Sequence, residues 1–141
     1  MNSVEVQPIN RLWVDKVWVD IAPFIQRALD KSTHYMNLQD VLEELLNGRM
    51  QAVMVFDESK IIGVCTTEVV QTKRKKIFRV VHLGGDDMEE WLSALVETVR
   101  EGAMNIGATE VEVWGRRGWN RALSCYNPIE AYTVFTFEVC P

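Results

Sequence analysis

Between residues 88 and 106 the apolar side chains Met88, Trp91, Leu92, Leu95, Val96, Val99, Ala103 and Ile106 recur at the spacing of one helical face. That periodicity predicts a long amphipathic helix beginning at Asp87, with Gly107 placed as its C-terminal stop. Strand-like runs flank it, residues 77–83 before and 109–114 after. A strand, a long amphipathic helix and another strand in succession form a crossover that closes a mixed α/β sheet, and every other element must fit around it.

The remaining chain supplies those elements. Residues 4–8 read as a short strand, and 12–29 carry Leu12, Val17, Ile21, Phe24, Ile25 and Ala28 at mostly helical spacing, interrupted by Pro23. Proline lacks the N–H of a helical hydrogen bond and crowds the preceding turn, so a kink or restart is expected there. Asn37 is placed as an N-cap for a helix whose Leu38, Val41, Leu42, Leu45 and Leu46 form an i, i+3, i+4 stripe ending at Gly48. Strands at 52–56, 61–70 and 77–83 are joined by short polar links, which implies an antiparallel meander. After the crossover, a short helix from 119 to about 125 leads to 132–139, where Phe135, Phe137 and Val139 alternate as in a half-buried strand. The expected core includes Trp91, Leu95, Val99, Val53, Val55, Phe135 and Phe137.

With 141 residues, 48% of them hydrophobic, and no Pro/Gly/Ser-rich linker or repeat, the chain reads as one domain, 1–141, able to hold a core without staples. Fifteen Lys and Arg against 20 Asp and Glu give a net charge of −5, which argues against bulk binding to nucleic acid or an anionic membrane. Cys65, Cys125 and Cys140 are odd in number and widely spaced, without a C-x-x-C pair, so neither a disulfide framework nor a metal site is expected. No basic–apolar leader opens the sequence and no apolar run is long enough to span a bilayer. The expectation is a soluble protein of the cytoplasm.

The order strand, helix, helix, three strands, helix, strand, helix, strand is similar to that of the GNAT family of acetyl-coenzyme-A-dependent N-acetyltransferases. Two local segments, Val81-His82-Leu83-Gly84-Gly85-Asp86-Asp87-Met88-Glu89-Glu90-Trp91 and Gly115-Arg116-Arg117-Gly118-Trp119-Asn120-Arg121-Ala122-Leu123, resemble small GNAT-like proteins of bacteriophages and prophages. The resemblance implies a single-domain, mostly antiparallel mixed sheet flanked by helices, acetyl-CoA as cofactor, and a bacterial host cytoplasm or a virion as location. It also implies that Leu83, Gly84 and Gly85 stand where the family's Q/R-x-x-G-x-G/A turn wraps the pyrophosphate at a helix N-terminus. Here the basic residue of that turn is missing and acids follow it. Asp86 or Asp87 with Glu89 or Glu90 reads as a capping box, in which the helix satisfies its own donors.

Acetyl transfer to an amine calls for a base, donors for the thioester oxygen and often an acid for the departing thiolate. Glu68 and His82 are the candidate bases. By strand alternation His82 shares a face with Phe78 and Val80, so a packed histidine is the bland alternative. Glu68 must be paired or open to a cleft. The family's acid is a Tyr in the short helix; here Leu123 falls at that place and Tyr126 lies three positions later. Trp114, Arg116, Arg117, Trp119 and Arg121 follow the crossover and compose a candidate substrate or partner site, or else an anchor with solvated arginines. Lys73-Arg74-Lys75-Lys76 reads as a solvated turn rather than a nucleic-acid contact. The competing function is a non-catalytic GNAT-fold protein working through protein contacts in a phage particle or its assembly. A homo-oligomer is a further expectation, since a partner chain could supply a terminal strand.

Overall fold

The computed structural model describes residues 4–31, 35–114, 119–131 and 134–139. Strand β1 (Val4–Ile9) is followed by a 3-10 turn at Arg11–Trp13, helix α1 (Val14–Asp30) and helix α2 (Leu38–Leu46). Strands β2 (Gln51–Asp57), β3 (Lys60–Gln71) and β4 (Lys76–Gly85) come next, then α3 (Met88–Asn105), β5 (Glu110–Val113), a single turn of helix α4 (Trp119–Ala122) and a 3-10 turn at Ser124–Tyr126. The sheet order is β1-β2-β3-β4-β5. The first three pairings are antiparallel, and β5 lies parallel to β4, as the crossover through α3 requires.

Each face of the sheet carries its own core. Ile21, Phe24, Ile25 and Leu29 of α1, with Val41 and Leu45 of α2, pack on Ala52 and Val64. Trp91, Leu95, Val99 and Ala103 of α3 pack on Val53, Val55, Cys65, Phe78 and Val80 of the opposite face. Alternation along β2 and β3 deals neighbouring residues, such as Ala52 and Val53 or Val64 and Cys65, to opposite sides. The long helix is thus built as its periodicity predicts. Gly107 (φ +73°) and Gly48 (φ +83°) adopt left-handed conformations just past α3 and α2, where a side chain would be strained. Asn37 caps α2 as expected, and a full capping box forms: its side chain accepts from Asp40 N–H while Asp40 accepts from Asn37 N–H.

Three expectations are corrected. α1 runs through Pro23 without a break. Pro23 and Val19, whose carbonyl loses its usual partner, both lie on the exposed side of the helix, so the missing bond falls on the solvent side rather than in the core. Leu12 belongs to the 3-10 turn capped by Asn10 and is exposed rather than packed. The terminal strand is the larger departure. Residues 134–139 pair with nothing in the sheet, and Phe135 and Phe137 are 86% and 90% exposed instead of lying in the core. Alternation equips a segment to be a strand, but a strand also needs an edge to pair with, and that is a tertiary choice. Tyr132, Thr133, His34 and the turn 115–118 lie outside the described residues.

Leu95, 3% exposed, sits in the middle of the buried face of α3. Leu95→Ala should destabilise the protein by about 2–5 kcal/mol in urea denaturation; a loss under about 0.5 kcal/mol would show that α3 is not the packed central helix.

Candidate functional site

The pairing of β4 with β5 stops at Val80 and Val113, closed by a last hydrogen bond from Trp114 N–H to the Val80 carbonyl. β4 itself continues to Gly85, so residues 81–85 have no strand beside them on that side among the described residues. Residues 115–118 lie outside the described residues, so what the structure shows on that side is an edge of unpaired backbone along 81–85. At the far end of that edge the chain turns through Asp86 and Asp87 into the N-terminus of α3.

The turn is shaped by packing. A Cβ on Gly84 would stand 2.2 Å from the Phe24 carbonyl oxygen of α1. One on Gly85 would stand 2.6 Å from the Trp91 ring and 2.8 Å from Gly63. Both glycines are therefore demanded by the close approach of α1, α3 and β3, whether or not a ligand uses them. Trp91 fixes the turn further by donating its indole N–H to the Asp86 carbonyl at 2.7 Å.

The expected capping box at this helix does not form. Asp87 stands at the N-cap in a left-handed conformation (φ 53°) and its side chain makes no capping hydrogen bond. Asp86 instead turns away to pair with Arg27 of α1 at 2.9 Å, an exposed contact that halves the unpaired charge of the turn. Glu90 N–H bonds back to the Asp87 carbonyl, while the first-turn donors of Met88 and Glu89 are not engaged by an acidic cap. The end of α3 thus keeps the donors and dipole that favour an anion, opposed by the carboxylates of Asp87, Glu89 and Glu90.

A β-bulge reassigns His82. The register of β3 against β4 shifts between Thr66 and Thr67, leaving Val81 as the extra residue. His82 consequently opposes Thr66 and leaves the face of Phe78 and Val80 that simple alternation gave it. Thr66 Oγ1 lies 2.6 Å from His82 Nδ1 and also accepts from the His82 backbone N–H at 3.2 Å. Thr66 is fully buried, so its hydroxyl proton needs an acceptor, and Nδ1 is the one in reach. This assigns the neutral ring's proton to Nε2. Burial also pushes the His82 pKa down to about 4, so the ring is uncharged at neutral pH. His82 is then a hydrogen-bond donor at Nε2 and not the free base expected of it. Thr67, the next residue of β3 after Thr66, has its Oγ1 buried with no hydrogen-bond partner.

Glu68 is not a free base either. Arg79, opposite it on β4, donates to Glu68 at 2.9 Å and to Glu112 of β5 at 2.6 Å. The guanidinium lies 4.2 Å from the centroid of the Trp114 ring, and the Trp114 indole N–H donates to Glu112 at 2.6 Å. Glu68, Arg79, Glu112 and Trp114 form one mutually satisfied cluster across three strands beside the end of the β4–β5 pairing. Glu68 is thus paired, and Arg79 and Glu112, which complete its cluster, stand outside the candidate residues of the sequence. Their alternation on neighbouring strands was visible, but the pairing register that joins them was not.

Tyr126 is placed elsewhere. Its hydroxyl donates to Glu97 at 2.7 Å and Arg100 covers its ring, which seats it on the solvent side of α3. The bond to Glu97 holds its phenol above the ordinary value, so it is not an acid poised at the unpaired edge of β4. Trp119 is half-buried and Arg121 is exposed, while Arg116 and Arg117 lie outside the described residues. Burial pushes the Cys65 thiol up to about 12, leaving it a packed core residue rather than a nucleophile. Among the described residues, no group of three or more His, Cys, Asp or Glu side chains is arranged to hold a metal ion, and no helix is long and apolar enough to cross a membrane.

No protein-family model and no curated protein matches the chain. Solved structures do. An aminoglycoside acetyltransferase from an uncultured soil metagenomic sample, in complex with trehalose, superposes with a TM-score of 0.69 at 16% identity, covering 98% of this chain and 97% of its own. The aminoglycoside N-acetyltransferase AAC(6')-Iy in complex with CoA gives 0.71 at 10% identity, covering 99% and 97%. A ribosomal-protein-alanine N-acetyltransferase from Brucella melitensis gives 0.70 at 10% identity, covering 96% and 99%. At such identities the likeness concerns the fold. The chain has the GNAT α/β fold over nearly its whole length, a five-stranded mixed sheet flanked by helices.

The assignment of His82 has a pH signature. The unfolded side chain titrates near 6.5 and the folded one at about 4, so in that interval the unfolded chain binds the extra proton. His82's contribution is full above about pH 6.5 and is lost as pH falls toward 4, by roughly 3 kcal/mol in all. The stability lost between pH 7.5 and 4.5 should therefore be smaller in His82→Gln by about 2–3 kcal/mol. Nitrogen NMR of the wild type at pH 7 should show the proton on Nε2; a proton on Nδ1, or a ring that titrates near 6.5, would contradict the assignment.

Proposed function

We propose that the protein is an acyl-CoA-dependent N-acetyltransferase. The observation that carries this reading is the edge of β4 left unpaired over residues 81–85, beyond the end of its pairing with β5, leading into an α3 N-terminus that no side chain caps. An extended chain carrying amides, such as the pantetheine arm, can pair with an unpaired strand edge, and a pyrophosphate suits free helix donors. The residues present fit acetyl-CoA on both counts. Residues 83–85 would face the arm, and the first-turn N–H groups of Met88 and Glu89 would take the pyrophosphate. The pairing of Asp86 with Arg27 removes part of the charge that opposes it.

When bound, acetyl-CoA supplies a thioester carbonyl open to attack by an amine. His82 holds a proton at Nε2 in the unpaired stretch of β4 and offers it as a donor to a developing oxyanion. Glu68, tied through Oε1 to Arg79, keeps its second oxygen for an acceptor's amine or ammonium group. The Arg79–Glu112–Trp114 cluster stiffens the sheet where the β4–β5 pairing ends. Tyr126, docked on Glu97, would take no part in this arrangement.

The competing role, protein contacts in a phage particle, rests on the acidic loop and the missing family Tyr. With Asp87 not capping and Asp86 paired the first support is weakened, while Tyr126, docked on Glu97, leaves the second in place. Nucleic-acid binding through the basic hairpin is also weakened, because Lys75 is paired with Glu110 and Lys76 donates to the Ile106 carbonyl.

Calorimetric titration should show one acetyl-CoA bound per chain, and a panel of primary amines should include one whose addition releases free thiol. Asp87→Asn keeps a residue tolerant of the left-handed conformation while removing one charge, so affinity should rise roughly five-fold, ~1 kcal/mol. Absence of binding by both proteins at millimolar acetyl-CoA would sink the reading.

A further inference from the structure

At the β1–β2 side of the sheet, on the face covered by α1 and α2, lies a cavity of about 270 Å³. Its interior is aliphatic: Ile9, Val14, Leu45, Met50 and Ala52 line it, each at most 8% exposed. Its rim is polar and consists of Arg11, Gly48 and Gln51. Local structure builds that rim. Asn10 accepts from Leu12 N–H at 2.9 Å and so caps the 3-10 turn that begins with Arg11. Past the end of α2, Met50 N–H closes back on the Glu44 carbonyl at 3.0 Å, and the Gln51 side-chain amide donates to the Gly48 carbonyl at 2.9 Å. Arg11 lies over the place where Gly48 has no side chain, since a Cβ there would stand 3.1 Å from Arg11 Nη1.

The charge of Arg11 is unmatched. Among the described residues no carboxylate forms an ion pair with it, while Arg49, the other cation beside this turn, is held by Glu44 at 3.0 Å. A guanidinium laid at the mouth of an aliphatic cavity is complementary to a molecule with one anionic end and an apolar body. Its planar fork matches a carboxylate, and one cation suits a monoanion better than the multiple charge of a phosphate. Volume then sets the length. At about 30 Å³ for each water-sized group, the 270 Å³ holds roughly nine non-hydrogen atoms, an aliphatic acid of about six to eight carbons.

We propose that this cavity is a binding site for a short aliphatic monocarboxylate, whose tail lies among Val14, Leu45 and Met50 and whose carboxylate is taken by Arg11. The site is separate from the edge assigned to acetyl-CoA. Ile9, Ala52, Thr66 and His82 stand opposite one another in a row across β1 to β4, so β3 lies between the cavity and His82. The proposal stands whether or not the edge of β4 binds acetyl-CoA.

Methyl NMR of the full-length protein titrated with sodium hexanoate should show saturable shifts at Val14, Leu45, Met50 and Ala52, with a dissociation constant below about 1 mM. Leu83 and Met88, beside the β4 edge, should not respond, and acetyl-CoA should not displace the acid. Acetate has the charge without the tail, and hexylamine has the tail with the opposite charge, so each should bind at least about ten-fold more weakly. Arg11→Gln changes an exposed side chain, so its free spectrum should match the wild type while hexanoate binds at least about ten-fold more weakly. The proposal is overturned by any of four results: no saturation by about 10 mM hexanoate, equal binding of acetate or hexylamine, unchanged affinity in Arg11→Gln, or shifts at Leu83 and Met88 with displacement by acetyl-CoA.

Discussion

Everything at the functional end of the molecule hangs on the seat of Trp91. Its ring is fully buried against Gly63 of β3 and Gly85 of β4, where a single added carbon would clash at 2.7 and 2.6 Å, and its N–H holds the Asp86 carbonyl. One side chain thereby sets the distance of α3 from the sheet, the shape of the turn that starts it and the end of β4. The return strand β5 inherits its position from α3. An indole suits this place because it fills a wide gap and still satisfies its one polar group.

Two irregularities convert that scaffold into a site. The pairing of β4 with β5 ends at Val80 while β4 runs on to Gly85, and the bulge at Val81 rotates the rest of β4 so that His82 meets Thr66. Bulges and splayed strands expose backbone groups that a regular ladder would consume, which is why they recur beside functional sites. Here the same bulge also decides the chemistry of the histidine. Thr66 takes the backbone N–H with one lone pair and gives its proton to the ring, so an imidazole that looks like a base in the sequence presents a donor.

Charge is handled locally. Arg79 lies between Glu68 and Glu112 with Trp114 stacked on it, and Arg27 draws Asp86 off the helix end. Removing Arg79 would leave two carboxylates facing each other near the sheet edge, a worse state than the satisfied cluster. These arrangements leave the N-terminal donors of α3 facing outward in a turn whose sequence is rich in acid.

What the sequence determined by itself was every described element whose signal is periodic or capped. The α3 stripe, the Asn37 box, the glycines past α2 and α3 and the alternation of β2, β3 and β4 are local properties, readable because backbone geometry repeats. The crossover followed from them, and with it the mixed sheet. Tertiary structure decided the rest: which residue of β4 bulges, which carboxylate Arg79 meets, that Asp86 prefers Arg27 to the helix, and that Tyr126 docks on Glu97. Those choices depend on register and on partners 11 to 59 residues away along the chain. Strand alternation has a period of two, so one extra residue turns every later side chain to the other face, and no local pattern announces where that residue will be placed.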